Sequence, residues 1–506
     1  LEIARALRGS QGEAILDHAW RTPGVRELVA IPLYLPALLA HAPGGTFPTT
    51  KEEVLRLFVT EHERAADQVD VLRETLFGFH TEMLTALAVE ATRAANTTIS
   101  DSRARAVVKW VEDHLSADGQ ITIAPQPTAV LDVLVSHHLL VRSGADTGGL
   151  SFQHQQFQEW YASFEVEKLM SAGAAGDQVA KQNLRVDVLN LPAWEEPILF
   201  ACERVSRADG TGLQAVATSV LEMIAIDPIL AAEMIYRSSP GVWDKIKEKI
   251  IAFVGRWHAS GKVDRSVHFM ISTGRSDFAP QVWPLISDQD SQVHLAALRA
   301  GRRFRPSVLG ANVEARIAQL SEELREHVVS EIASESGMDG IELAVRLAQA
   351  DASPRVQASV IEALLFRRAD RFAVEILRAA PDEAWRLLAR KGYADEIVDP
   401  DATARLRRER QRYIEEETDP LRKLRVLLDA ARYGVLLGPQ IGTLIEAADF
   451  PAKEQDAGWI IHEAHKRYPD DVTSALLHRL EAGRGIPFRA EGLLEMHNAG
   501  ARTVAQ

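Results

Sequence analysis

At 506 residues, with 46% hydrophobic and 25% charged side chains, the chain is too long for one core, and roughly two to four domains are expected. Its formal net charge of -14 argues against a surface built for non-specific nucleic-acid binding. With a single cysteine there is no intrachain disulfide, and no apolar run approaches the ~18 residues that span a bilayer. A cytoplasmic protein with no membrane partner is expected. Cys202 lies in the apolar run Ile198 to Cys202 and reads as a small core residue. Leu1 already belongs to a helical pattern (LEIARAL) and is not a methionine, so the chain is expected to be a fragment of something longer.

Glu13 to Trp20 reads as a short amphipathic helix broken by Pro23 and Gly24. Ile31-Pro32-Leu33-Tyr34-Leu35-Pro36 follows, where two prolines forbid an undisturbed helix. Leu33 to His41 is helical beyond the first proline, and Pro43-Gly44-Gly45 is a loop. Thr49-Thr50-Lys51-Glu52-Glu53 signals a helix start, a threonine cap with acids in the first turn. Val54, Leu55, Phe58 and Val59 form its apolar face.

The next segment predicts a long helix from Val71 to Arg93, a polar loop from Asn96 to Ser100, a helix from Arg103 to Leu115 and a third opened by Pro127. Leu139–Arg142 and Leu150–Phe152 then pair as a hairpin across a Gly-rich turn. Three helices followed by a hairpin is the order of a winged helix. Gln155 to Met170 closes the unit, with Phe157, Trp160, Tyr161 and Phe164 on one buried stripe.

Beyond residue 170, helices alternate with short Pro/Gly or polar breaks. Asp288–Leu298 and Asp351–Ile361 look alike, each an acidic turn followed by a helix with valine and small residues inward. Glu326–Ala333 is a weaker copy. Val293, Val328 and Val356 are spaced as in stacked helix pairs. The pattern resembles HEAT repeats. The expected fold is therefore mainly α: a winged-helix unit with a short β-hairpin, followed by an α-solenoid of HEAT-like helix pairs. The expected divisions are 1–62, 63–170 and 171–506.

No GxxxxGK[ST] loop, acidic Walker-type strand or GxSxG elbow is present. Ile461-His462-Glu463-Ala464-His465 resembles a zinc helix, but the second histidine comes three residues after the first, where HExxH requires four. His137-His138 reads as a packing or surface pair. Arg302-Arg303-Phe304-Arg305 and Arg405 to Arg412 are basic clusters, the second followed by Glu415-Glu416-Glu417 and read as internally paired. The chain is expected to have no catalytic residues, no metal site and no enzymatic activity by itself. His154 stands at a helix start, where free N–H groups and the dipole favour anions.

Phe152-Gln153-His154-Gln155-Gln156-Phe157-Gln158-Glu159-Trp160-Tyr161-Ala162 resembles the F-x-H-x-x-F-Q-E-[YF]-x-A motif that closes the winged-helix domain of NACHT-type STAND NTPases. Ile31 to Leu35 resembles the proline motif of that family's helical domain, and Phe47 to Phe58 resembles the segment after it. The three matches run in the family's order over roughly the first third of the chain. Trp160 and Ile31 depart from the usual residues. The resemblance implies that 1–62 is a NACHT-associated helical domain, with Pro32 against the nucleotide base or ribose and His154 on the β-phosphate of ADP. It also implies Walker motifs upstream of Leu1 and ADP or ATP with Mg²⁺ in the full-length parent, none of which this fragment would bind tightly alone. The implied partners are the missing nucleotide-binding domain, a protein trigger on the helical repeats and further copies on activation. The implied setting is bacterial antiphage defence. The alternative is an all-helical scaffold or adaptor with no nucleotide-dependent role.

Overall fold

A computed structural model describes residues 48–63, 66–137, 139–143, 148–390, 397, 399–431, 440–450 and 455–486, and isolated positions elsewhere that include Tyr34, Leu35, Leu38 and Leu39. The fold is mainly helical, with one small three-stranded sheet. Packing divides the chain into two units, Leu1–Ala311 with Gly337–Asp339, and Asn312–Ser336 with Gly340–Gln506.

The first unit opens with α1 (Lys51–Glu63), α2 (Ala66–Leu76), α3 (His80–Arg93), β1 (Thr98–Ser100), α4 (Asp101–Ala117), α5 (Pro127–His137), β2 (Leu140–Ser143), β3 (Gly149–Phe152) and α6 (Gln155–Ala174). Helix α1 starts as its sequence signals. The Thr50 hydroxyl accepts from the Glu53 N–H at 3.2 Å, and the Glu53 carboxylate accepts from the Thr49 N–H at 2.6 Å. Val54, Leu55 and Val59 are buried, with Phe58 partly so.

Two expectations fail here. The single helix over 71–93 is two helices, broken at Phe77-Gly78-Phe79, where Phe77 (φ 52°) and Gly78 (φ 83°) turn left-handed. Apolar periodicity runs through the break and hides it. The polar loop at 96–100 contains β1, whose Thr98, Ile99 and Ser100 pair antiparallel with Ser151, Leu150 and Gly149 of β3. The predicted hairpin forms as β2 and β3, giving the sheet order β1-β3-β2.

Seven further helices follow in the first unit: α7 (Gln178–Asn183), α8 (Glu195–Val205), α9 (Gly210–Ile224), α10 (Pro228–Arg237), α11 (Pro240–Trp257), α12 (Arg265–Thr273) and α13 (Ala279–Ile286), then an eighth, α14 (Ser291–Leu298). Helices α6, α8, α10 and α12 pack in succession, and α9 packs on α6, α10 and α11. The sequence divisions at 62 and 170 fall inside α1 and α6.

The second unit holds α15 (Val313–Ala318), α16 (Glu322–Glu335), α17 (Met338–Ala350, its first two residues counted with the first unit), α18 (Pro354–Phe366), α19 (Asp370–Ala379) and α20 (Asp382–Ala389). It continues with α21 (Pro400–Glu416), α22 (Pro420–Ala431), α23 (Gln440–Ala447), α24 (Gln455–Arg467) and α25 (Pro469–Glu481). Leu424, Leu427, Ile441, Ile445, Ile460, Ile461, Val472 and Leu476 form the core of its last helices.

The two look-alike segments share hydrogen bonds as well as residues. The Asp288 carboxylate accepts from the Asp290 N–H at 2.8 Å, and Asp351 accepts likewise from Ser353 at 2.9 Å. Six residues after each aspartate, a buried side chain returns to its carbonyl: His294 Nδ1 lies 3.1 Å from the Asp288 oxygen, and Gln357 Nε2 donates to Asp351 at 2.9 Å. The weaker copy is different. Val328, Val329, Ile332 and Ala333 are buried, but Glu326 sits within α16 and not in a turn before it.

Candidate functional site

Tyr34 is fully buried and gathers the three matched motifs around itself. Its ring centroid lies 5.5 Å from Phe58 on α1, 5.8 Å from Phe157 on α6 and 6.4 Å from His154. Phe58 and Phe157 are 5.3 Å apart, and His62 stacks on Phe58. The Tyr34 hydroxyl donates to Gln156 Oε1 at 3.1 Å. Burial, and then the nearby Glu159 carboxylate, push this hydroxyl above its ordinary pKa, so it remains a donor.

His154 caps α6. Its Nδ1 accepts from the Gln156 backbone N–H at 3.2 Å, while its own backbone is extended. An accepting Nδ1 puts the proton of a neutral imidazole on Nε2. The Nε2–H is then a donor at a helix end that carries no acid in its first turn. The arrangement can hold an anion by a side-chain donor together with the positive end of the helix.

Glu159 lies one turn further along α6 and accepts from Gln155 Nε2 at 2.8 Å. Burial and the neighbouring Glu196 raise its carboxyl to about 7, against the opposing pull of Gln155 and Lys51.

Behind this face lies a cluster of charges, buried at Glu52 and Glu203 and partly exposed at Glu167 and Glu196. Glu52, in the first turn of α1, is 1% exposed. It faces Trp160 Nε1 at 3.4 Å and Arg204 Nη1 of α8 at 3.4 Å. Arg204 also reaches Glu167 at 2.5 Å and the Ser163 hydroxyl at 2.9 Å, with its guanidinium 4.1 Å over the Phe164 ring. The Glu52 N–H donates to Glu203 at 3.1 Å. Glu203 pairs with Arg237 of α10, which extends to Glu196 at 3.4 Å. Burial opposes the charge on Arg237, but Glu203 and Glu196 outweigh it, so the guanidinium stays charged.

Of the two residues that the motifs single out, His154 stands at the start of α6, beside Tyr34. Pro32 lies outside the described residues, as does His138. Phe152, Phe157, Trp160 and Tyr161 are core, and Phe164 is partly buried. Sequence reasoning missed Tyr34 and Gln156 as neighbours of His154 and Glu159 as a neighbour of Tyr34, although all three stand inside the quoted motifs. It read Glu52 as a dipole acid. Arg204 is 152 residues away along the chain and carries no local signal.

The remaining candidates are structural. Arg302 pairs with Glu195, Arg305 pairs with Glu233 and lies 3.4 Å over Tyr236, and Arg412 meets Glu416 at 2.8 Å. Cys202 is fully buried, and burial pushes its thiol up to about 12. Glu463 of the zinc-like segment pairs with Lys466 at 2.7 Å, and no metal-binding group of three or more His, Cys, Asp or Glu occurs among the described residues. Among them no helix is long and apolar enough to cross a membrane. An open groove of about 1040 Å³ is lined from α3, α4 and α6 by residues that include Arg103, Trp110, His114 and Lys168, and its lining does not include His154. No family model, curated protein or solved structure matches the chain.

Proposed function

We propose that this chain is the regulatory and sensor portion of a NACHT-type STAND signalling ATPase. In this reading residues 63–170 are a winged-helix domain, residues 171–506 are a HEAT-like solenoid that binds a protein trigger, and the parent is a cytoplasmic antiphage switch that oligomerises on activation. The observation that carries the reading is the contact between Tyr34 and His154. Tyr34 belongs to the same short motif as Pro32, and His154 is the residue the resemblance assigns to the β-phosphate. Further support comes from the helix-strand-helix-helix-hairpin order with the sheet order β1-β3-β2, and from the shared turn bonds at Asp288 and Asp351.

The donor set fits a diphosphate. The Nε2–H of His154 and the uncompensated start of α6 would hold a phosphate oxygen, while Tyr34 and Gln156 keep the imidazole oriented. When bound, ADP would supply the bridge between this chain and its nucleotide-binding domain. A bound ligand shifts such a switch only by its differential affinity for the closed and open states. The sequence carries no GxxxxGK[ST] loop, so in this reading hydrolysis would belong to the rest of the parent.

The test is His154→Ala in the parent protein. Losing one hydrogen bond to a charged group is expected to weaken ADP retention roughly tenfold or more and to raise basal signalling. Unchanged ADP occupancy together with unchanged basal signalling would sink the role given to His154.

A further inference from the structure

The charged cluster behind His154 joins helices that are far apart in the chain. Glu52 belongs to α1, Trp160 and Glu167 to α6, Glu196, Glu203 and Arg204 to α8, and Arg237 to α10. Each contact in the series shares a group with the next. Arg204 bridges Glu52 and Glu167. Glu203 accepts from the Glu52 N–H and also pairs with Arg237. The start of α1 is thus held by side chains of α8, which are themselves held by α10.

An apolar interface would be the more stable way to fasten these helices, since buried ion pairs gain little net stability. What ion pairs add is directional geometry. Their groups also recover hydration when the contact parts, so such a joint opens at smaller cost than an oily one. The cluster holds four carboxylates (Glu52, Glu167, Glu196 and Glu203) against the guanidinium groups of Arg204 and Arg237, with the half-exposed Arg56 adding a longer contact to Glu52 at 3.6 Å, so most of its pairing depends on the position of Arg204 and Arg237. It also meets the nucleotide-facing end of α6 directly, through Trp160 and through Glu196 beside Glu159.

We propose that this cluster is a polar joint through which displacement of α8 and α10 loosens α1 and the first turns of α6. What the joint controls rests on the nucleotide reading above; the coupling is a property of this chain alone. In the parent, trigger binding to the later helices would reach His154 by this route.

The test is hydrogen exchange across the whole chain in Arg237→Gln and Arg237→Lys. Arg237 touches neither α1 nor α6 through any of the contacts described, so a local effect would stay in α8 and α10. The expected result is at least fivefold faster exchange at the start of α1 and around Trp160 in Arg237→Gln, a smaller rise in Arg237→Lys, and no change in α16. Acceleration confined to α8 and α10 would overturn the joint. Should Arg237→Gln fail to fold, Glu196→Gln, which removes a partly exposed partner of the same arginine, is read at the start of α1 alone, because Glu196 itself lies beside Glu159 of α6: faster exchange there supports the joint and no change there overturns it. The two proposals fail separately. Exchange coupling with unaltered ADP retention in His154→Ala removes the nucleotide reading alone, and lost retention without coupling removes the joint alone.

Discussion

Six of the helices after the hairpin begin differently from the helix at the hairpin. Asp177, Asp209, Asp227, Asp264, Asp290 and Asp399 each cap a helix by accepting from its first N–H groups. A carboxylate there satisfies free donors and offsets the positive end of the dipole. Helix α6 is capped by His154, which satisfies one donor and leaves the dipole end uncompensated. The fastenings differ in the same way. The last helices of the chain close over leucine and isoleucine, whereas α1, α6, α8 and α10 add to their apolar faces a linked set of ion pairs around Arg204 and Arg237. The later helices are built for stability. The hairpin junction gives up some of it, which is the contrast the proposed reading rests on.

The sharpest way to break this contrast is Arg204→Ala. It takes the buried guanidinium away from Glu52 and Glu167, leaving Glu52 only the longer contact to half-exposed Arg56 at 3.6 Å, and a cost of about 3 kcal/mol is expected in urea unfolding. Truncating an exposed pair such as Arg346 with Glu314 should cost under about 1 kcal/mol. Equal effects would erase the distinction between the junction and the later helices.

Glu159→Gln comes next, with a pH signature. Because the folded carboxyl is raised from an ordinary 4.5 to about 7, the folded state holds a proton that the unfolded chain has released. The stabilisation is complete below the unfolded value and is lost as pH rises toward 7, on the order of 2–3 kcal/mol. The variant should flatten that decline, as measured by unfolding at pH 5 and pH 8. Parallel curves for wild type and variant would contradict the assignment.

Asp264→Ala removes a cap. Burial works against ionisation there, yet hydrogen bonds from Ser266, Ala259 and His258 hold the carboxyl at about 2. A loss of about 1–2 kcal/mol is expected at neutral pH, and the wild-type advantage should shrink only as pH falls below the ordinary carboxylate range toward 2. The smallest effect is the most telling. His154→Asp gives α6 the cap of its neighbours and should stabilise the chain by about 0.5–1 kcal/mol, seen as a higher urea midpoint. The same change puts a negative charge where the reading above places phosphate, so ADP retention in the parent should fall. A rise in both quantities would contradict the reading.

Much of the first unit was legible because its signals are local. Thr50 with Glu53, Pro127 and the aromatic spacing on α6 act within one or two turns of their own helix. The break at Phe77-Gly78 was not legible, because Leu72, Leu76, Phe79 and Met83 continue one apolar pattern across it. Strand β1 was not legible because a three-residue polar strand has no period of its own and exists only when β3 lies beside it. Glu326 misled for the opposite reason: its surroundings copy a repeat, but α16 begins at Glu322 on its own Ser321 cap.

By itself the sequence determined where most helices start, which faces they bury and that a histidine opens α6. Capping and 3.6-residue periodicity are properties of adjacent residues. Only the tertiary structure decided what that histidine faces. Tyr34 reaches Gln156 across 122 residues and Glu52 reaches Arg204 across 152. Those contacts follow from burial and charge pairing, which depend on which helices come together and not on the residues next in line.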